Sequence, residues 1–364
     1  MKIAFDSKIA FNNLTGLGNY SRSVIHSIAS IRKNDELYLA TPKLNYQIFK
    51  PKHNNINILQ PSICDNSHYW RFKGINQKLN DLNIDIYHGL SNEIPYKMRI
   101  KSIVTIHDLL FLKYPSFYNY IDRKIYHFKS KLACENANKI IATSQQTKED
   151  IIHYFNINAN KIKVIYQSCN QAFINHSSNS KYIEFTQREL KEPFILYVGS
   201  IEERKNLLFL LQAIKNIKNI KLICVGRKGK YYQKIAKFIE KNKLHNKVTF
   251  LNIQDNQQLA HIYRHSRGLV YPSLNEGFGI PIIEGMYSKI PVITSNQPIF
   301  KEIGGEHSYY FEQGNLDSLI QTINSIWTDS NERSKRIEKN FNYVQKFNEM
   351  EQAQNIIKLY KMIL

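Results

Sequence analysis

Short apolar runs alternate with amphipathic stretches along almost the whole 364-residue chain, and no other feature restricts its fold so tightly. A strand covered on both faces reads as an unbroken apolar run, and two parallel strands need a crossover long enough to hold a helix. In the first half the runs Lys2–Phe5, Leu37–Ala40, Ile84–Tyr87, Ser102–Ile106, Lys139–Ala142 and Lys163–Ile165 fit such strands. A second series begins past residue 190: Phe194–Val198, Lys221–Val225, Val248–Phe250, Gly268–Val270 and Pro291–Thr294, with helical periodicity over Leu207–Ile217, Tyr231–Asn242 and Gln257–His265. Repeated βα units of this kind build an α/β protein with doubly wound parallel sheets.

Between the two series lies Asn175-His176-Ser177-Ser178-Asn179-Ser180-Lys181, polar and small enough to be a linker. A single core rarely grows beyond about 250–300 residues, so two Rossmann-like domains are expected, 1–175 and 182–340. Ligands of such sheets sit at the carboxyl ends of the strands, which predicts an active site in a cleft that the two sheets face. The last segment, 341–364, spaces Phe347, Met350, Ala353, Ile356, Ile357, Tyr360 and Ile363 close to a helical period and is expected to form one amphipathic helix.

Charge and cysteine content narrow the class. Fifty Lys+Arg against thirty Asp+Glu give a net charge of +20, divided almost evenly between the two halves of the chain, so there is no basic tail. Cys64, Cys134, Cys169 and Cys224 follow no zinc or dithiol spacing and suit free thiols in a reducing compartment. The N-terminus meets a charge at Lys2 and Asp6 before an apolar leader can form, and no run reaches the ~18 apolar residues of a membrane span. A cytoplasmic chain with no transmembrane anchor is expected.

The most informative stretch is Tyr271-Pro272-Ser273-Leu274-Asn275-Glu276-Gly277-Phe278-Gly279-Ile280-Pro281-Ile282-Ile283-Glu284. It leaves a strand, turns through two glycines and opens a helix near Pro281, which places free N–H groups and a positive dipole end against a ligand. Glu284 falls about one turn into that helix, where a carboxylate can accept hydrogen bonds from both hydroxyls of a ribose. Glu276, at the strand end, can accept from sugar hydroxyls. Tyr197-Val198-Gly199-Ser200-Ile201-Glu202-Glu203-Arg204-Lys205 opens the first βα loop of the second series, and a bidentate guanidinium beside a point charge suits a departing diphosphate. Asp-x-Asp occurs nowhere.

These motifs resemble the signature of retaining glycosyltransferases of family four, whose two glutamates are separated by seven residues, and the likeness runs through most of the chain. The resemblance implies the GT-B architecture of two Rossmann-like domains, an acceptor domain followed by a donor domain, with the C-terminal helix returning to the N-terminal domain. It implies that Ser200, Arg204, Lys205, Glu276, Gly277, Phe278, Gly279 and Glu284 contact a nucleotide-sugar donor. Gly16 and Gly18, in Thr15-Gly16-Leu17-Gly18-Asn19-Tyr20, would border the donor phosphates and the acceptor. His107, in Thr105-Ile106-His107-Asp108, would lie beside the donor sugar, with Asp108 supporting its loop and His88 a candidate on the acceptor side. His107, Glu276, Arg204 and Lys205 are thus the expected catalytic groups, in a transfer that needs neither metal nor cofactor.

The same resemblance points to bacterial O-antigen and capsule enzymes, and so to GDP-mannose as donor and a glycan or lipid-linked saccharide as acceptor. Asn252 stands where the family usually has glycine and Gln167-Ser168-Cys169 replaces a common Asn-Gly, so a UDP-sugar stays open as the donor. A sugar-nucleotide epimerase on the same frame is the next alternative within enzymes. Tyr114–Lys131 and Trp70-Arg71-Phe72-Lys73 mix aromatic and basic side chains and suit an anionic membrane surface, which would place the enzyme peripherally at the inner face of the plasma membrane. Net charge and aromatic content also suit a nucleic-acid binder, but the basic residues are dispersed and carry no nucleic-acid-binding signature, so no nucleic-acid partner is expected.

Overall fold

The computed structural model describes residues 1–62, 66–175, 190, 192–253, 255–328 and 331–364. The proposed linker therefore lies, apart from Asn175, outside the described residues, as does Cys64. Contacts divide the chain into two units, Met1–Ser168 with Phe347–Leu364, and Cys169–Lys346. The divisions fall at 168 and 346 where the sequence suggested 175 and 340. Helix Gln171–Ile174 is part of the second unit because Phe173 is fully buried there, edge-on to Tyr263 at 5.2 Å.

In the first unit the strands are β1 (Lys2–Asp6), β2 (Glu36–Ala40), β3 (Ile56–Leu59), β4 (Ile86–Gly89), β5 (Lys101–Ile106), β6 (Lys139–Ala142) and β7 (Ile162–Val164). They form one parallel sheet in the order β3-β2-β1-β4-β5-β6-β7. Register follows the apolar pattern: Ile3 pairs with Leu37 and Ile86, and Phe5 with Leu39 and His88. Ile3 and Phe5 face one core and Ala4 the other, and all three are fully buried, which is why β1 is apolar between Lys2 and Asp6.

The second unit repeats the plan with β8 (Phe194–Val198), β9 (Lys221–Val225), β10 (Val248–Leu251), β11 (Gly268–Tyr271), β12 (Val292–Ser295) and β13 (Tyr309–Phe311), ordered β10-β9-β8-β11-β12-β13 and again parallel. Both sheets are Rossmann-like, as the βα periodicity requires. The edge strands β3 and β13 escape the apolar-run reading because they are short and half-exposed, with Asn57 inside one and two tyrosines in the other. In both sheets the strand order reverses once, at β1/β4 and at β8/β11, and a crevice at the carboxyl ends opens at such a reversal.

Segment 341–364 is not one helix. Phe341–Val344 ends helix Asn331–Val344, and a new helix, Glu349–Ile363, begins at Asn348, whose side chain accepts from the Glu351 N–H at 2.8 Å. A capping asparagine satisfies an orphan helix donor, and so restarts the chain in a new direction. Helix Glu349–Ile363 belongs to the first unit, where Ala353, Ile356 and Tyr360 are buried with Tyr20, Val24 and Ile28 of helix Gly16–Ile31.

A buried polar chain fixes that helix to the sheet. His88 Nδ1 meets the Tyr360 hydroxyl at 2.7 Å, His88 Nε2 meets Thr105 Oγ1 at 2.9 Å, and Tyr20 Oη lies 3.0 Å from the same Thr105 oxygen. Burial, with a smaller contribution from His107, pushes the His88 imidazole down to about 3, so it is neutral and both ring nitrogens are used. His88 is therefore a structural residue of the core and does not line an acceptor surface. Tyr360→Phe leaves His88 Nδ1 without its partner and is expected to cost about 1–3 kcal/mol. Denaturant unfolding measures this, and an unchanged midpoint would mean that the helix is held without the histidine.

Candidate functional site

The loop after β8 is built by backbone approach. Gly199 N–H donates to the Val225 carbonyl at 2.9 Å and Ile201 N–H to the Arg227 carbonyl at 3.0 Å. A Cβ on Gly226 would stand 1.9 Å from the Gly199 carbonyl oxygen, so only glycine lets the loops after β8 and β9 come together. The chain then forms a 3-10 turn over Glu203–Lys205 and passes through Asn206 in the left-handed region, at φ 57°, into helix Leu207–Asn216. Across the reversal point the loop after β11 is joined to it: Leu274 N–H donates to the Arg204 carbonyl at 2.9 Å, and Arg204 Nη1 to the Asn275 carbonyl at 2.8 Å.

Three charged side chains meet there. Glu276 receives Arg204 at 2.7 Å on one carboxylate oxygen and Lys205 at 2.6 Å on the other. Lys205 Nζ also donates to the Tyr271 hydroxyl at 2.9 Å. Burial by itself would raise the Glu276 carboxyl, but Lys205 and Arg204 outweigh it and hold the group at about 2. The Lys205 ammonium is drawn below its ordinary value by burial, against the pull of Glu276. In this contact set two cations face one carboxylate.

Glu284 sits in a different environment. Gly279, at φ 114°, turns the chain in a conformation that side-chain-bearing residues rarely adopt and caps helix Ile280–Tyr287, with Pro281 in its first turn. Glu284 is buried in this helix, and its carboxylate accepts from the Tyr263 hydroxyl at 2.8 Å. Burial pushes its carboxyl up to about 7, with the Tyr263 bond pulling the other way. Gly277 is half-buried and Phe278 is buried, while the Ser200 carbonyl accepts from Glu202 N–H at 3.0 Å.

The remaining expected site residues lie in the first unit. Gly16 opens helix Gly16–Ile31 with open space around its Cα. At Gly18 a Cβ would stand 1.9 Å from the Asn13 carbonyl oxygen, so this glycine admits the chain's own backbone. His107 is 6% exposed, edge-on to Tyr20 at 4.6 Å, with Nε2 2.9 Å from the Leu90 carbonyl. A carbonyl can only accept, so Nε2 carries the proton. Burial pushes the ring down to about 4, and the neutral ring presents Nδ1 as an acceptor. Asp108 supports its loop by accepting from Leu110 N–H at 3.1 Å.

Comparison with known proteins accords with this geometry. A family model described as Glycosyltransferase Family 4 matches residues 26–171, and one described as Glycosyl transferases group 1 matches residues 178–343. An uncharacterized glycosyltransferase of Methanocaldococcus jannaschii is 30% identical over 73% of this chain and 69% of its own length. The chain belongs to the family-four glycosyltransferases. It is an enzyme that transfers a sugar. The O-antigen chain mannosyltransferase B of Escherichia coli is 26% identical over 91% of this chain and 92% of its own. Sucrose-phosphate synthase from Thermosynechococcus elongatus, at 20% identity, shares the GT-B fold with a TM-score of 0.80 over 100% of this chain and 98% of its own.

In this glycosyltransferase, sequence reasoning brought Arg204, Lys205 and Glu276 to one place but missed the residues that hold them. Tyr271 was readable as the last residue of a strand facing a turn. Tyr263, the partner of Glu284, sits in the amphipathic helix Asn256–His265 and reads as core. Gly226 was signalled by Val225-Gly226-Arg227 at a strand end.

The raised Glu284 carboxyl has a stability consequence. An unfolded glutamate titrates near 4.5 and the folded one near 7, so its contribution is intact below pH 4.5 and is lost as pH rises through 7. The loss is roughly 3 kcal/mol. Glu284→Gln cannot ionise, so its unfolding temperature relative to wild type is expected to climb between pH 5 and 8. Parallel pH profiles for the two proteins would show that Glu284 ionises as an ordinary carboxyl.

Proposed function

We propose that this enzyme is a retaining mannosyltransferase that takes mannose from GDP-mannose, with no metal, and adds it to a glycan or lipid-linked saccharide during assembly of a cell-surface polysaccharide. The observation that carries the chemistry is the Arg204–Glu276–Lys205 cluster at the β8/β11 reversal. A leaving diphosphate gathers negative charge, and two cations already fixed by a shared carboxylate meet that charge without reorganising. Glu276, held ionised, is an acceptor for donor-sugar hydroxyls, and Glu284 one for the ribose. Ser200, Gly277, Phe278 and Gly279 complete the donor loop, and Gly16, Gly18 and His107 are its counterparts in the first unit. His107, neutral, contributes a hydrogen-bond acceptor and no charge.

In a retaining transfer the acceptor hydroxyl attacks on the face from which the diphosphate departs, and a diphosphate oxygen takes its proton. Catalysis is then positioning and charge stabilisation. The mannosyl group and the polysaccharide context rest on the E. coli relative's description as an O-antigen mannosyltransferase. The test is turnover in EDTA after a thermal-shift screen of GDP- and UDP-sugars has named the donor. Lys205→Ala is expected to lower kcat by on the order of 10²–10³ at saturating donor. Near-normal kcat would remove the cluster from the mechanism, and a shift with UDP-sugars alone would replace the donor.

We also propose peripheral association with an anionic membrane. Among the described residues no helix is long and apolar enough to cross a membrane. Helix Tyr120–Asn136 exposes Tyr120, Ile121, Ile125 and Phe128 by 64%, 69%, 45% and 56%, beside Arg123 and Lys124, which both lie over the Tyr120 ring. Tyr69 and Phe72 add exposed rings next to Lys73. Arg71 and Lys129 are set apart from this surface because both are engaged in ion pairs, with Asp6 and with Glu93. Each cation near anionic lipid contributes about 1 kcal/mol, so replacing Lys73, Arg123, Lys124 and Lys131 with Gln is expected to weaken binding to phosphatidylglycerol vesicles by roughly 10² or more. Unchanged cosedimentation would exclude the surface.

A further inference from the structure

The first sheet has its own reversal point, between β1 and β4, and it too gathers charge. Asp6 ends β1, and Glu93 stands in the turn that follows β4. That turn is closed so tightly that a Cβ on Gly89 would lie 2.2 Å from the Glu93 carbonyl oxygen. Arg71, from the helical turn Trp70–Gly74, reaches Asp6 at 2.6 Å and pairs with Glu93, whose second oxygen takes Lys129 at 2.8 Å. Burial would lower the Arg71 guanidinium, but the two carboxylates outweigh it, and Arg71 and Lys129 in turn hold Glu93 below the ordinary carboxylate range despite burial. The four side chains are joined by ion pairs, and they line a cavity of about 250 Å³.

The chemistry of the walls selects a ligand class. Two cations and two carboxylates balance, so an anion would have to break ion pairs that already exist. Lys8 stands near the cluster, its ammonium lowered by burial and by Arg71, but it does not line the cavity. An apolar ligand would strip water from the charges and return nothing. A ring edged with hydroxyls can donate to carboxylates and accept from cations at once. Arg71 Nε, buried with no hydrogen-bond partner among the described residues, is a donor that a hydroxyl oxygen would satisfy. The other walls include the Phe72 and Phe128 rings, and Phe72 is stacked on Tyr96 at 5.4 Å with 6° between planes. Aromatic walls with a few convergent polar groups suit a ligand that is apolar on its faces and polar at its edge.

We infer that this cavity binds one neutral, polyhydroxylated sugar ring and is the acceptor subsite of the transferase. The word acceptor rests on the glycosyltransfer proposed above, whereas ring binding stands on the cavity alone. The cavity adjoins the exposed aromatic face of helix Tyr120–Asn136, because Phe128 belongs to both. A saccharide carried on a lipid would thus meet its subsite beside the surface proposed for the membrane.

The experiment uses the full chain and three probes, methyl α-mannopyranoside, methyl α-glucopyranoside and inorganic phosphate, followed by saturation-transfer NMR. At least one glycoside is expected to bind and phosphate not to. Phe72→Ala, which trims a ring already 37% exposed, and Leu132→Trp, which fills the cavity, should each weaken glycoside binding by about tenfold or more and raise its KM as acceptor, with the donor KM unchanged. The thermal shift given by the nucleotide sugar should persist in both variants and reports that they are folded. Glycoside binding equal in wild type and both variants, binding of phosphate alone, or no glycoside binding would each overturn the assignment. If the wild type binds a glycoside but no nucleotide sugar, the donor assignment fails while the cavity stands.

Discussion

The reversal of strand order within each parallel sheet is the constraint on which the rest of this molecule depends. At β8/β11 one crossover leaves to one side of the sheet and the next to the other, so the loops at the carboxyl ends diverge and leave their polar groups uncovered. Arg204 and Lys205 follow β8, Glu276 follows β11, and pairing of β8 with β11 brings groups some seventy residues apart in sequence to within 2.7 Å. Gly226 and Asn206 serve the same end: one lets two loops touch, the other turns the chain into a helix immediately after the cations. At this end of the sheet, then, backbone geometry serves to hold charge.

Two glutamates on one loop and helix are driven apart by surroundings of opposite kind. Glu276 is buried with two cations and held at about 2, whereas Glu284 is buried with a tyrosine hydroxyl and raised to about 7. Pairs of titratable groups separated in this way are how a site assigns different tasks to the same side chain. A permanently ionised Glu276 can anchor Arg204 and Lys205 at any physiological pH. Glu284 gains its charge only where something compensates it, and two hydroxyl donors from one ligand would do so. A ligand held there as proposed would therefore link its binding to ionisation of Glu284, and the buried carboxyl is tolerated in the fold because it can remain protonated.

Much of this was legible in the sequence, and the parts that were not have physical reasons. Strands covered on both faces announce themselves, as at Phe194–Val198, whereas the edge strands Ile56–Leu59 and Tyr309–Phe311 are short and half-exposed and lose the signature. Glu276 was readable through its place between a strand end and Gly279, whose positive φ calls for glycine. Asn348 and Glu351 carried a helix-start signal that the apolar period of the last segment obscured. His88 could not be told from a site histidine, since its role lies in Tyr360, distant in sequence and adjacent in space. Arg71 and Lys129 read as surface cations for the same reason: their carboxylates sit in other elements, on β1 and after β4.

Charge balance, more than fold, separates the two reversal points. Each places a carboxylate among cations at the carboxyl end of its sheet, so topology alone would assign them the same kind of ligand. The cluster around Glu276 holds two cations to one carboxylate, and the cluster around Arg71 holds two of each. An excess of positive charge fixed in a half-buried site attracts an anion that can replace lost hydration. A balanced set offers donors and acceptors without net field, and favours a molecule that supplies both. A transferase needs such a division, because its donor loses a doubly anionic group while its acceptor presents only hydroxyls. If the two sheets receive different substrates as proposed, the additional carboxylate of the first unit, Asp6 at the end of β1, is a determinant of that division.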